Sequence, residues 1–255
     1  MGGFFHSKKI RFFLTAGSGL FCLLFFGSVA QAARTPILMY HYVSVPPATT
    51  TLPSLYLRPE IFENQLQELN KHKYNILFVS KIAESLHQNE KLPACSLALT
   101  FDDGYEDFYT QVFPLLKKYQ IKGTLYVIIN RLDTPGYVTK AQIKEMVASG
   151  LVEIGSHTFN HPDLRIKKTK DANFEIRESR KVLQEISGQE IKTLAYPYGY
   201  FNLEHEKIAS SSAYLGAVSV AAGSEQNLKN IWSLYRLRPG NRSGSVFNVW
   251  LRSWF

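Results

Sequence analysis

The stretch Ser96–Tyr105, SLALTFDDGY, constrains the fold more than any other. Leu97, Ala98, Leu99 and Phe101 form an apolar run too short for a helix, as expected of a strand buried on both faces of an α/β sheet. Two carboxylates and a glycine end the run. Asp102 and Asp103 are therefore expected at the C-terminal end of a parallel strand, where such folds keep their active sites, with Gly104 turning the chain away. Adjacent residues on an extended chain point apart. The two acids suit separate tasks, one on a metal and one on a proton, better than the facing pair that glycoside cleavage needs. Taken alone, Asp-Asp-Gly reads as an ordinary turn after a core strand.

The remainder of the chain supplies strands and helices in alternation. Ile37–Val43 (ILMYHYV) reads as a strand carrying His41, followed by a Pro/Thr-rich loop over 46–53. Pro59 opens a helix with Ile61, Phe62, Leu66 and Leu69 at helical spacing. A strand over Ile76–Val79 and a short helix over Lys81–His87 come next, and a helix over Asp107–Tyr119 that Pro114 bends follows the opening strand. Gly123–Ile129 and Val152–Ser156 read as strands, separated by a helix that starts in a Thr139/Gln142 capping box and ends near Gly150. Asp171–Ser187 is a long amphipathic helix closed by Gly188. Thr193–Tyr196, Ala217–Val220 and Ser233–Leu237 are the last strand candidates, before a helix carrying Val246, Phe247, Val249 and Trp250. The pattern argues for one α/β domain over residues 34–255, a parallel barrel, without repeat or linker.

Residues 1–33 read as something else. Lys8, Lys9 and Arg11 precede an apolar stretch from Phe12 to Val29, and Ala30-Gln31-Ala32 offers a small-x-small cleavage site, the pattern of a secretory signal peptide. Its removal takes three basic residues from a formal charge of +8. The modest excess left favours anionic envelope surfaces or polymers, so peripheral envelope association is expected. No basic block or zinc-finger spacing points to nucleic acid. Cys95 would be the one cysteine of the mature chain, which excludes an internal disulfide and suits a bacterial envelope. The expected location is periplasmic or extracellular.

A second chemical element is Ser156-His157-Thr158-Phe159-Asn160-His161-Pro162. Two histidines four apart on a strand-to-loop segment can face one point if the loop coils like a helical turn. Two histidines and an aspartate make a common set for a divalent metal that keeps open positions. Alone, an H-x-x-x-H spacing reads as a structural loop at least as readily.

Together, TFDDG and SHTxxH some fifty residues apart resemble the polysaccharide deacetylases of carbohydrate esterase family 4, which share the NodB homology domain. The resemblance implies a distorted (β/α) barrel and metal-dependent removal of acetyl groups from polymeric sugars. It makes Asp102 the catalytic base and Asp103, His157 and His161 the ligands of one divalent ion, with the Thr158 hydroxyl steadying the histidine loop. Zinc is expected first, with cobalt, nickel and iron compatible. The third family motif, Arg-x-Pro-Tyr-Gly, falls on Ala195-Tyr196-Pro197-Tyr198-Gly199. It implies a Tyr198 N–H facing the oxyanion, and substrate contacts at Pro197 and Tyr105. The motif arginine is replaced by Ala195, and no Leu-x-x-His follows; His205 lies in a sequence that reads as an exposed helix.

Both departures resemble one branch, the poly-β-1,6-N-acetylglucosamine deacetylases, in which the barrel is circularly permuted and the general-acid histidine is N-terminal. ILMYHYV and LRPEIFENQLQEL resemble that branch, and the likeness runs from Pro36 to Trp254. His41 is then the general acid, and Arg236 in YRLRP the candidate to orient Asp102. Tyr40, Tyr42, Tyr196 and Tyr200 could stack on sugar rings or pack in the core. His72 and His87 read as solvent-facing. Two other readings stay open: a peptidoglycan or chitooligosaccharide deacetylase, and a glycan-binding pseudoenzyme.

Overall fold

The computed structural model describes residues 33–255 together with Gly2, so the leader read over residues 1–33 lies, apart from Gly2 and Ala33, outside the described residues. In chain order the strands are β1 (Ala33–Arg34), β2 (Ile37–Tyr40), β3 (Asn75–Leu77), β4 (Ser96–Phe101), β5 (Gly123–Val127), β6 (Val152–Ser156), β7 (Thr193–Ala195), β8 (Gly216–Val218) and β9 (Glu225–Gln226). The helices are α1 (Pro59–Lys71), α2 (Val79–Gln88), α3 (Phe113–Tyr119), α4 (Lys140–Ala148), α5 (Thr169–Ser187), α6 (Leu203–Ser211) and α7 (Gly244–Arg252). Seven strands form one parallel sheet in the order β2-β4-β5-β6-β7-β8, with β3 on the first half of β4. β1 and β9 make a separate antiparallel pair. Among the described residues no helix is long and apolar enough to cross a membrane.

The period of two along each strand divides the core. Leu38, Leu97, Leu99, Phe101, Leu125, Ile154 and Leu194 face outward and pack under helices through Phe62, Leu66, Ile143, Ile176, Leu183 and Phe247. Ile37, Ala98, Tyr126, Ala195 and Val218 face inward around a second core, filled from below by Val79, Ile82 and Leu86 of α2. Such strands, buried on both sides, read as continuous apolar runs for this reason. The N-terminus of α2 docks on inward polar groups near the start of β5 and β6: the Val79 N–H donates to Thr124 Oγ1 (3.3 Å) and the Ser80 N–H to Glu153 Oε1 (3.3 Å). Burial raises the Glu153 pKa above that of an ordinary glutamate.

Two expectations are corrected and one, the helix over Asp107–Tyr119, is refined. Ser233–Leu237 is no regular strand; it is an extended stave that the Ser219 N–H bonds at Leu234 O (2.9 Å) and that donates from Leu237 N–H to Ile37 O (2.8 Å). It thus joins β8 to β2 through single bridges, Val218 with Leu234 and Leu38 with Leu237. The helix expected over Asp107–Tyr119 is a π-helical turn at Phe108–Val112 followed by α3. Pro114 has no N–H to donate, and the backbone widens in the turn before it. His205 is 2% exposed: Asn202 caps α6, and the Asn202 N–H donates back to His205 Nδ1 at 3.0 Å.

Candidate active site

The inward register that fills the barrel with Ile37, Ala98 and Glu153 brings His41, Asp102 and His157 to its C-terminal rim. His41 follows Ile37 and Met39, Asp102 follows Ala98 and Thr100, and His157 follows Glu153 and Gly155, all at even steps. β2 lies beside β4 with Tyr40 opposite Phe101, and the Asp102 N–H donates to Tyr40 O at 3.0 Å. This pairing sets the His41 Nε2 3.9 Å from Asp102 Oδ2.

Asp102 is buried, and Arg236 from the closing stave meets it with two parallel hydrogen bonds, Nη1 to Oδ1 at 2.7 Å and Nη2 to Oδ2 at 2.8 Å. Arg236 is 1% exposed, and its other donors also find oxygens: Nε donates to Ser219 O (2.7 Å) and Nη1 to Thr100 Oγ1 (3.2 Å). Burial by itself pushes the Asp102 carboxyl up, but the Arg236 guanidinium, with His157 and His41 beside it, outweighs burial and holds the group ionised, well below the usual carboxylate range. Ala195 leaves the third motif without its arginine, and Arg236 reaches Asp102 from the closing stave instead.

Asp103 turns the other way. Its Oδ1 lies 3.4 Å from His157 Nε2 and 3.5 Å from His161 Nε2, and the three donor atoms fall within 4.8 Å of one another. Two nitrogens that near one carboxylate oxygen match ligands placed about 2.1 Å from a shared ion at an angle close to tetrahedral. His157 Nδ1 sits 2.7 Å from Ala195 O, a contact that fixes the proton on Nδ1 and leaves Nε2 as the donor atom. Burial lowers the His161 pKa to about 4, keeping its imidazole neutral as a metal ligand must be; at His157 burial also pulls down, but Asp103 and Asp102 outweigh it and raise the pKa, so an ion there would have to displace a proton from Nε2. The residues present therefore suit a divalent cation.

Backbone strain marks all three loops. Asp103 (φ 76°), Thr158 (67°), His161 (58°) and Tyr198 (59°) are non-glycine residues in the left-handed region, each costing on the order of 1 kcal/mol or more. Gly199 shares the third of these turns at φ 72°, where a Cβ would meet Val220 Cγ2 at 2.3 Å. Pro197 is buried beneath that turn, while Tyr196 and Tyr198 on either side of it line the cleft. The Tyr198 ring packs edge-on against His161, centroids 4.6 Å apart.

The cleft has a volume of about 610 Å³. Its walls include His41, Asp102, Asp103, His157, His161, Tyr105, Tyr198 and Tyr200. Tyr105 is propped by Tyr42 (3.6 Å between centroids), itself stacked on Tyr56 (4.2 Å). Tyr40 belongs to the core, donating to Gln65 Oε1 at 2.9 Å. His72 and His87 are exposed, as expected. Sequence reasoning missed Leu52, Leu55, Arg131, Tyr137, Asn160 and Arg238 of the lining. Arg238 had a signal in its even spacing from Arg236, and Asn160 in its place inside the histidine element; Leu52, Leu55, Arg131 and Tyr137 come from loops whose path no local pattern encodes.

A family model described as polysaccharide deacetylase matches residues 89–216. A Bacillus subtilis protein named as a polysaccharide deacetylase, YxkH, is 31% identical over 225 residues, covering 88% of this chain and 78% of its own length. The poly-beta-1,6-N-acetyl-D-glucosamine N-deacetylase of Staphylococcus aureus strain MRSA252 is 30% identical over 156 residues, 55% of this chain. The chain matches about half (53%) of that relative. Among solved structures, the Streptococcus pyogenes deacetylase PplD in complex with acetate has a TM-score of 0.81 at 30% identity, covering 88% of this chain and 100% of that one. IcaB from Ammonifex degensii shares the fold at a TM-score of 0.73 and 24% identity, over 88% of this chain and 97% of that one. With TFDDG, SHTFNH and PYG meeting at one strand-end cleft and the match extending over most of the chain, it belongs to the polysaccharide deacetylases of carbohydrate esterase family 4, hydrolases of the NodB type.

Proposed function

We propose that the chain is an exported, metal-dependent deacetylase that removes N-acetyl groups from poly-β-1,6-N-acetylglucosamine. The observation that carries the catalytic part is the meeting, in one cleft, of an arginine-held carboxylate, an Asp/His/His ligand set and His41 beside that carboxylate. The substrate is supported by the N-terminal position of His41 and by the name of the Staphylococcus aureus relatives. Arg236 also weighs against a glycan-binding pseudoenzyme, since Asp102 keeps an arginine despite Ala195.

Asp103, His157 and His161 would hold the ion. When bound, a divalent ion there supplies Lewis acidity, polarising the acetyl carbonyl and making water acidic near neutrality. Asp102, kept ionised by Arg236, accepts the proton of the water that attacks the carbonyl carbon. The Tyr198 N–H donates to the oxygen that gains charge in the transition state. His41, protonated, donates Nε2–H to the sugar nitrogen as the C–N bond breaks, releasing acetate and a free amine. Tyr105 and Tyr198 offer ring faces to the sugar, and Pro197 fixes the turn that aims Tyr198.

The test is acetate release from poly-β-1,6-N-acetylglucosamine, β-1,4 chitooligosaccharides and peptidoglycan, with and without chelator. The first substrate should turn over fastest, chelation should stop it, and a divalent ion should restore it. Preference for a β-1,4 polymer would overturn the substrate, full activity after exhaustive chelation the metal, and no acetate from any glycan the enzymatic reading.

A further inference from the structure

His157 and His161 stand on a loop that is neither strand nor helix and contains two left-handed residues, Thr158 and His161. Such a loop keeps one shape only if its N–H groups are all paired, and here they can be accounted for one by one. The His157 N–H donates to Val127 O (2.9 Å), the Thr158 N–H to Ser156 Oγ (3.2 Å) and the His161 N–H to Thr158 Oγ1 (3.0 Å). The remaining two end on a single carboxylate of α5. Glu175 Oε2 accepts from the Phe159 N–H at 3.0 Å and from the Asn160 N–H at 2.8 Å. Glu175 Oε1 accepts from Asn160 Nδ2 at 2.8 Å, and Asn160 Oδ1 in turn accepts from Asn130 Nδ2 at 2.8 Å.

Glu175 is 5% exposed, and among the described residues no lysine, arginine or histidine forms an ion pair with it. A carboxylate is an expensive group to bury against amides alone. Its charge makes each of the three hydrogen bonds stronger than a neutral acceptor would. One turn further along α5, Ser179 Oγ lies 2.7 Å from Ser156 Oγ, the atom that holds the Thr158 N–H. α5 therefore grips the histidine loop at its start and at its crest.

Resting on the metal reading above, we propose that Glu175 is the positioning residue of the metal site: it draws the Phe159 and Asn160 amides inward and so coils the loop until His161 faces Asp103. The two histidines depend on it unequally. His157 is also fixed by the Val127 pairing and by Ala195 O, whereas His161, partly exposed, has beyond the loop only edge-on ring contacts with Tyr198 and His157, and no hydrogen bond of its ring to the backbone, to hold it 3.5 Å from Asp103. Loss of Glu175 thus resembles loss of His161, not of His157.

The test uses the full chain and the metal alone, Co²⁺ or Zn²⁺, with affinity read by competition against a chromophoric chelator. Glu175→Ala should raise the metal dissociation constant about 10–100-fold, as loss of an outer-shell partner does. Its Co²⁺ absorption should move toward that of His161→Ala, and amide exchange should quicken at Phe159 and Asn160 but not in β5. Glu175→Gln, which keeps the volume and one acceptor oxygen, should fall between Glu175→Ala and the unmodified protein. A folded Glu175→Ala that binds Co²⁺ within twofold of the unmodified protein would overturn the proposal; if that variant does not fold, the same result from Glu175→Gln would do so. Failure of the unmodified protein to bind either ion would instead strike the metal reading itself.

Discussion

At the scale of single residues the site is a contest between burial and charge. Asp102 lies out of water yet must stay ionised to take a proton, and the Arg236 fork settles the contest. Removing one partner of such a buried pair costs about 3–5 kcal/mol, because the other is left uncompensated. Arg236→Met should therefore both lower stability by that order in urea melts and abolish acetate release. Arg236→Lys should keep the charge without the fork and recover only part of each. Near His41 burial wins: it lowers the imidazole pKa although Asp102 and Asp103 both pull upward. An acid must be protonated to act, so kcat/KM should fall as pH rises through the His41 pKa, with that limb below the ordinary histidine value of about 6.5. His41→Gln should lose the limb along with about 10²–10⁴-fold in rate, while still binding metal. Asp107 shows the reverse sign for a carboxylate. Burial pushes its pKa to about 6 even though hydrogen bonding from Ser44 and from the Val43 N–H, 2.9 Å from Oδ2, pulls it down; among the described residues Oδ1 has no hydrogen-bond partner. The raised folded value means that stability from this group is full below its unfolded pKa of about 3.9 and is lost as pH rises through about 6. Asp107→Asn keeps an acceptor for Val43 and should flatten that decline, gaining at most about 3 kcal/mol at pH 8 in thermal melts compared across pH.

At the scale of elements, the interior is specified by alternation, and one glycine shows how tightly. A Cβ at Gly155 of β6 would meet Tyr126 Cε1 at 2.3 Å, and both positions face the middle of the barrel. Gly155→Ala should cost about 1–3 kcal/mol in chemical denaturation, with Tyr126→Phe leaving that penalty in place because the ring is what collides. Burial on both faces made β4 and β5 readable as the largely apolar runs Leu97–Phe101 and Gly123–Ile129, while α5 was readable from its helical spacing and the Gly188 that closes it. It made Asp102, Asp103, His157 and His161 readable as strand-end groups. Ser233–Leu237 was misread because its apolar spacing is strand-like while it shares only single bridges with each neighbour. His205 was misread because a polar flank suggests solvent, whereas the ring is consumed as the reciprocal half of a cap. Glu175 carried no signal at all. On its helix it is one more acid among Glu178 and Glu185, and only the loop folded over it sets it apart.

At the scale of the whole molecule, the metal set sits on a core that does not include it. The inner and outer cores are apolar and continuous beneath the rim, so His157→Ala should fold and lose only the ion. Added Zn²⁺ should raise the melting temperature of the unmodified protein, since an ion at 100 times its dissociation constant stabilises by about 2.7 kcal/mol, and should leave His157→Ala unmoved. A scan of melting temperature against zinc concentration reads both. The stave that closes the sheet has a further consequence, in time. Asp102 takes its guanidinium from residue 236 and its imidazole neighbour from residue 41, contacts separated by 134 and 61 positions along the chain. Contacts so distant in sequence are slow to form, because the loop entropy is spent before they reward it. During refolding, helical signal should therefore return well before acetate release. A nascent chain that has made both metal motifs but not yet residue 236 holds Asp102 without its arginine, so the catalytic centre is the last part of the molecule to be switched on.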